Sequence, residues 1–442
     1  MPEPPPLLTD QLIVSLQALC EQPSVVGQPD DLTASAALIG AQLQSLGMQV
    51  RIAPGPPPVV LARRNGRSEQ TLLLYHRFDA PPSGPWRVWS HEPYQLAERD
   101  GALYGRGVAE GKGPFAAHMQ TVQALLTAYG ELPCGIVFVV DGGGLLGSPS
   151  LAQALDDNPD LCAADACLGS MGEREDNGTP LCYSGCKGLL QVRLSARGPT
   201  HPLPAGAAPA LRNPLWRLTW ALSNIKGEDE DIRIPGFYEE VDGPTRDENT
   251  ALRAIKLDEY GRLAAWGADH FLFGMSGVAL VRAEVTLPTC NLSSIHCMPE
   301  SDLAQLPSTA NAVLDFQLVP RQTPTLLAQL LREHLDDRGF SDVGIEQLPG
   351  GYSPARTNAQ NRFVRQVSAA GAAVFGKTLS IVPSGPFALP LQLFVERMTC
   401  PVVSVGLARP DSSPYGPDEH ISLTELLRHG RLLLELAMAM AK

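Results

Sequence analysis

Residues 71–82 read TLLLYHRFDAPP. Thr71 to Tyr75 is a continuous apolar run, the pattern of a strand buried on both faces. Gly135 to Val140 (GIVFVV) has the same character and runs into a glycine-rich turn. Between them, Pro114 to Tyr129 predicts a helix. Strands alternating with helices predict a mixed or parallel central sheet covered by helices, an α/β fold. Toward the N-terminus the spacing predicts strands at Val59–Ala62 and Val50–Ile52 and helices at Leu32–Leu46 and Thr9–Gln22, the last after a Thr-Asp start. Toward the C-terminus the pattern returns after Asn361, with a helix over Phe363–Phe375, a buried strand over Val402–Leu407 and a long helix over Leu423–Met440.

The middle of the chain reads differently. Leu189–Ala196 alternates apolar and polar residues as a half-exposed strand does, and Val278–Leu287 and Ala312–Val319 predict strands on the same ground. Helices are predicted at Pro214–Asn224 and Pro324–Asp336, and the acidic run Glu228–Asp231 is a loop. This stretch reads as a smaller α+β domain with an antiparallel sheet. A chain of 442 residues has room for two domains. The simplest organisation is one domain built from both ends, 1–187 and 354–442, with a second inserted over 188–353.

Composition narrows the function. Hydrophobic residues make up 44% and charged residues 18%, as in an ordinary globular protein. A net charge of -13 repels phosphate backbones and anionic lipid, so neither nucleic acid nor a membrane is an expected partner. No apolar run approaches the ~20 residues of a membrane span. The start, MPEPPPLLTDQ, has neither the basic region nor the apolar region of a signal peptide. The nine cysteines are scattered, and Cys182 and Cys186 have no second pair at ligand spacing. Reduced thiols and a cytoplasmic location are expected.

Six segments in order carry a specific resemblance: LLLYHRFDAPP (72–82), LAERDGALYGRGVAEGKGPFAAH (96–118), FVVDGGGLLGSPSL (138–151), IPGFYEEV (234–241), STANAVLDFQLVPRQTP (308–324) and SPYGPDEHISL (413–423). Together they resemble the dinuclear-zinc exopeptidases, which include carnosine dipeptidase, Cys-Gly dipeptidase, succinyl-diaminopimelate desuccinylase and aminoacylase. The resemblance covers nearly the whole chain. It implies a catalytic domain with two zinc ions, an inserted lid domain that usually dimerises, and hydrolysis of an amide next to a free carboxylate. Such a centre needs His and carboxylate ligands, one of them bridging, and a glutamate to take a proton from the bridging water.

Position by position, this chain departs from that pattern. The family's His-x-Asp is Arg77-Phe78-Asp79 here; His76 is one step early and on a strand would face the other way. The bridging Asp is Glu110. The Glu-Gly-x-Glu-Glu segment begins at Asp141, with Gly144 at the general base and Leu145 at the neighbouring ligand. Met171 takes a fourth ligand position, with no carboxylate before Glu173, and Tyr415 takes the last ligand His. His420 matches a His that is not a ligand. The lid's His-Ser-Gly is Pro204-Ala205-Gly206, with His201 read as a loop residue. The substrate-contacting Gly-Gly-Ser loop is Pro386-Phe387-Ala388. Asn291 matches an Asn near the substrate carboxylate, and Arg106 and Lys112 are read as scaffold.

Base, ligands and lid His have changed while the scaffold motifs remain. No metal or other cofactor is expected. The leading reading is a non-catalytic homologue that binds a small amino-acid or amide ligand, through Asn291 and Phe387, or a partner subunit. The alternative is a metal-independent enzyme on an acyl or amino-acid-derived substrate, with Arg77, Asp79, Glu110, Asp141 and Tyr415 round one pocket. A residual metallo-amidohydrolase is the third. Arg77 is expected to pair with Glu110 in place of the metals, since neither charge is stable buried alone. Cys297 beside His296 and Cys186 beside Lys187 read as structural. A homodimer through the lid is the default assembly and a heteromer the alternative.

Overall fold

The apolar run that opens the reading is the strand Thr71–Arg77 (β3), two residues longer than the run itself. The structure, a computed structural model, describes residues 5–300 and 302–441. Eight strands form the large sheet: Gln49–Ala53 (β1), Val59–Arg64 (β2), β3, Gly135–Asp141 (β4), Ala166–Gly169 (β5), Cys182–Tyr183 (β6), Ile381–Val382 (β11) and Val402–Ser404 (β12). Their order is β1-β2-β4-β3-β5-β12-β6-β11. The centre is parallel: β3 pairs with β4 on one side and β5 on the other, and β5 with β12. The β1 and β2 strands are antiparallel additions at one edge. The predicted strand Val402–Leu407 stops at Ser404, where the chain leaves toward the loop that carries Tyr415.

Alternation along β3 divides two cores. Leu72 and Leu74 join a cluster with Leu12, Val122, Phe138 and Leu426. It is covered by helices Thr9–Glu21 (α1), Pro29–Ser45 (α2), Lys112–Tyr129 (α3), Arg362–Phe375 (α9) and Leu423–Met440 (α10). Leu73 and Tyr75 join the opposite cluster, with Val137, Val139, Leu391 and Phe394. A strand buried on both faces has no polar side, which is why its sequence shows no alternation.

The middle of the chain holds a second, antiparallel sheet of Gly188–Arg197 (β7), Thr289–Met298 (β8), Thr309–Leu318 (β9) and Gly344–Gln347 (β10), in the order β8-β9-β7-β10. The β9 strand alternates buried and half-buried positions along its whole length, and β7 does so up to the exposed Arg197 at its end. Helices Pro214–Ile225 (α4) and Pro324–Asp337 (α8) cover its apolar face.

One element is corrected. Val278–Leu287, expected as a strand, lies in the helix Gly277–Thr286 (α7) and the turn after it. Its buried residues Leu280, Val281 and Val285 fit a helical stripe, and in so short a run that stripe mimics alternation. Its Ala, Arg and Glu are good helix formers. The strand itself begins at Thr289. With helix Arg246–Ala254 (α5), α7 packs Leu252, Ile255, Val281 and Val285 on Leu181, Tyr183 and Val382. This segment of the expected insertion therefore lies on the β6–β11 edge of the large sheet.

Candidate active site

The parallel pairing sets β3 and β4 in register so that Arg77 stands opposite Asp141, both at the C-terminal ends of their strands. Ser170 and Met171 follow the last residue of β5 at the same end. Glu110 and Gly111 lead into α3 beside them. Ligand sites of open α/β sheets form at this end.

Arg77 and Glu110 form an ion pair, with side chains 11% and 20% exposed. Burial works against the charged guanidinium, but Glu110, Tyr415 and Asp79 together more than offset it, so Arg77 is held protonated even more firmly than usual. Tyr415 itself is 63% exposed, at the mouth. Asp79 is buried; its Oδ2 accepts the Leu145 N–H at 2.7 Å, and its Oδ1 has no partner among the described residues. Burial pushes the Asp79 carboxyl up to about 7. Asp141 accepts from the Tyr75 hydroxyl at 3.2 Å and the Gly143 N–H at 2.9 Å, and burial raises its pKa as well.

Gly144 faces the Arg77 side chain. A Cβ there would stand 2.9 Å from Arg77 Cβ and 3.0 Å from its Cδ. The guanidinium stem thus fills the volume that a side chain at residue 144 would need.

His76 points the other way, as its place on the strand requires. It is buried against Phe115 and Phe138 and 3.1 Å from His118 (Nε2 to Nδ1). Burial lowers its pKa to about 3. His118 stacks in turn on His429 at 4.4 Å between ring centroids.

Two adjoining cavities share Glu110 and Met171. The inner, about 20 Å³, is lined by Tyr75, Arg77, Ser170 and Leu389. The outer, about 190 Å³, is lined by Glu173, Trp266, Phe387 and Arg409. Glu173 is held by Arg262, which also bonds Glu284 at 3.1 Å and packs against the Trp266 ring. Phe387 packs edge-on against Tyr183.

Five predicted residues therefore meet at this end of the sheet: Arg77, Asp79, Glu110, Asp141 and, at the rim, Tyr415. Phe387 lines the outer cavity. Asn291 is not among the lining residues; it lies on an exposed face of β8 and donates to Asp315 at 2.8 Å. Sequence reasoning missed Ser170, Arg262, Trp266 and Arg409. Ser170 could have been found beside the Met171 position, but nothing local marks Arg262 or Trp266, which arrive on the helix Glu259–Trp266 (α6) from the middle of the chain. Arg106 ties the Tyr415 loop to the scaffold by donating to the Pro414 and Gly416 carbonyls and to Glu419. Lys112 donates to the Gln22 carbonyl.

Comparison with known proteins agrees with this architecture. The model of peptidase family M20/M25/M40 matches residues 74–439. Human Beta-Ala-His dipeptidase is 23% identical over 91% of this chain and 82% of its own length. Cysteinylglycine-S-conjugate dipeptidase from Corynebacterium striatum is 24% identical over 89% and 86%. Among solved structures, the M20 family metallo-carboxypeptidase Sso-CP2 from Sulfolobus solfataricus superposes with a TM-score of 0.89 at 25% identity, covering 98% of this chain and 99% of that one. Human carnosine dipeptidase 1 superposes with a TM-score of 0.86 at 22% identity, covering 98% and 97%. A match over most of the chain, with one fold from end to end, makes this protein a dipeptidase-like member of peptidase family M20/M25/M40.

Proposed function

We propose that this protein is a non-hydrolytic member of its family that binds a small amino-acid-derived or amide ligand in the paired cavities, with the Arg77–Glu110 ion pair standing where the family's metal centre would be. The observation that carries the reading is Arg77 itself. It brings a fixed positive charge to the pocket, it engages the carboxylate of Glu110, and its stem fills the space of the family's base at Gly144. A metal ion would compete with that guanidinium for Glu110. Among the described residues no group of three or more His, Cys, Asp or Glu is placed to hold a metal. The residues present do not fit a dinuclear centre.

The outer cavity is smaller than most drug-sized sites. The Trp266 and Phe387 rings offer apolar walls, and Glu173 and Arg409 offer one charge of each sign. That combination suits a compact zwitterion or amide.

The test has two arms. The purified chain is dialysed against zinc and manganese and its metal content read by elemental mass spectrometry; none is expected to be retained. Melting temperature is then measured with a panel of amino acids, acyl-amino acids and dipeptides, including β-alanyl-histidine. A rise without consumption of the compound is expected for at least one. A stoichiometric pair of metal ions, or turnover that depends on added metal, would sink the reading.

A metal-independent enzyme is the second reading, favoured by one observation: Ser170 lines the inner cavity and its Oγ lies 3.0 Å from His76 Nδ1.

The assembly is proposed to be a homodimer through the second sheet. Its β8 strand is an edge strand with Leu292, Ile295 and Met298 exposed, and Trp216 and Trp220 stack exposed on α4. A bare apolar edge invites pairing with another strand. Light scattering is expected to give twice the chain mass, and Ile295→Lys to give the monomer. A monomeric parent protein would leave the heteromer as the alternative.

A further inference from the structure

We propose that Ser170 is a nucleophile, assisted by His76, that takes an acyl group from activated acyl donors such as thioesters or aryl esters. This deepens the second reading above and rests on it.

The geometry has three parts. Ser170 is half-buried at the end of β5 and lines the inner cavity with Arg77 and Glu110. Its Oγ lies 3.0 Å from His76 Nδ1. His76 Nε2 lies 3.1 Å from His118 Nδ1. A nucleophile bonded to a base, with the base oriented by a third group, is the arrangement covalent catalysis requires. The rings of Phe115, Phe138 and His118 surround His76 and fix its plane.

The Ser170 hydroxyl also donates to the Tyr75 carbonyl at 3.4 Å, and the acylating form is the one that turns this hydrogen to His76 instead. For Ser170 to donate to Nδ1, His76 carries its hydrogen on Nε2 and donates it to His118 Nδ1. His118 then holds its own hydrogen on Nε2, which is buried without a partner among the described residues. In the acylation step, Ser170 Oγ bonds to the acyl carbon and the carbon–sulfur or carbon–oxygen bond to the leaving group breaks. The serine proton passes to His76 Nδ1 and then to the departing thiolate or phenolate. Nothing is oxidised or reduced.

The same surroundings set the substrate class. Burial disfavours the imidazolium, so His76 is a weak base. An amide, whose amine must be protonated to leave, is out of reach, whereas a thiolate or phenolate leaves unaided. Residue 144 carries no carboxylate to activate water, so the acyl-serine is expected to persist.

The test treats the full chain with p-nitrophenyl acetate and follows nitrophenolate release, intact mass and peptide maps. One acetyl group on Ser170 is expected, with a burst equal to the protein concentration and slow turnover after it. Ser170→Ala should abolish burst and adduct while keeping its circular dichroism. His118→Gln, whose amide can still accept from His76, should keep the site of labelling but slow the burst at least tenfold. Labelling elsewhere that persists in Ser170→Ala, or no burst from the folded parent protein, overturns the proposal. The thermal-shift panel separates the two failures: ligand stabilisation without acylation leaves the binding reading standing, whereas loss of both removes the cavity as a site.

Discussion

Glu110→Gln is expected to destabilise the protein by about 3 kcal/mol, the lower end of what is seen when one partner of a buried ion pair is removed. The reason is asymmetric burial. Arg77 is the deeper of the two and stays charged at every accessible pH, so it cannot shed its charge when Glu110 is replaced. Asp79 remains beside it, but burial drives Asp79 toward its own neutral form. Arg77→Met should cost less, because the carboxylate left behind is partly exposed and can turn to water. The double variant Arg77→Met/Glu110→Leu, which removes both charges, should recover most of the loss. Denaturant titration of the four proteins closes the cycle. A Glu110→Gln change below about 0.5 kcal/mol, the range of ordinary surface substitutions, would mean that the pair carries no structural weight. Gly144 offers a second handle on the same volume. Gly144→Ala should be costly beside Arg77, whose Cβ it would approach to 2.9 Å, and nearly free beside Arg77→Gly.

Much of this arrangement was legible in the sequence, for particular reasons. The two strands that end at Arg77 and Asp141 are apolar on both faces, and that signal does not depend on partners. The opposed directions of His76 and Arg77 follow from strand geometry alone once β3 is placed. The expected meeting of Arg77 with Glu110 needed one further premise, that a buried charge must find its opposite. The failures have physical causes too. At Val278–Leu287 a short run fits two periods at once, and only packing against Leu181 and Tyr183 decides for the helix. Trp266 and Arg262 reach the cavity through tertiary docking of α6, which no local pattern encodes. Asn291 matched the family's motif, yet it sits on an exposed strand face, bonded to Asp315, because a motif match fixes a chain position and not the space it faces.

Acid is expected to weaken this fold through three buried histidines, and His429→Leu is expected to make it more acid-resistant. His76 and His429 are pushed down to about 3, and His118 well below its ordinary value, all chiefly by burial. For each, the unfolded chain takes a proton near the ordinary value of about 6.5 and the folded chain does not. The stabilisation they lend is therefore whole above about pH 6.5 and is lost as pH falls toward 3, at about 1.4 kcal/mol per pH unit for each histidine. Buried carboxyls work in the opposite direction. Burial pushes Asp79 and Glu419 up to about 7, so between about pH 4 and 7 the folded chain holds protons there that the unfolded chain has released. Burial raises Asp141 and Glu173 in the same sense, so the slope of the whole chain is a difference between two opposed sets and a single histidine is the cleaner probe. His429 isolates the effect. Neither of its ring nitrogens has a partner among the described residues, it stacks on His118, and the cationic group that disfavours its protonation is Arg174. Leucine, of similar size, removes the titrating group and breaks no hydrogen bond. Urea unfolding at intervals from pH 7 to pH 4.5 should show the variant level with or above the parent protein at pH 7 and gaining on it by about 1.4 kcal/mol for each unit below about 6. Parallel curves would show that His429 is protonated in the folded chain and that the stacked pair is not the dry, neutral contact its geometry describes.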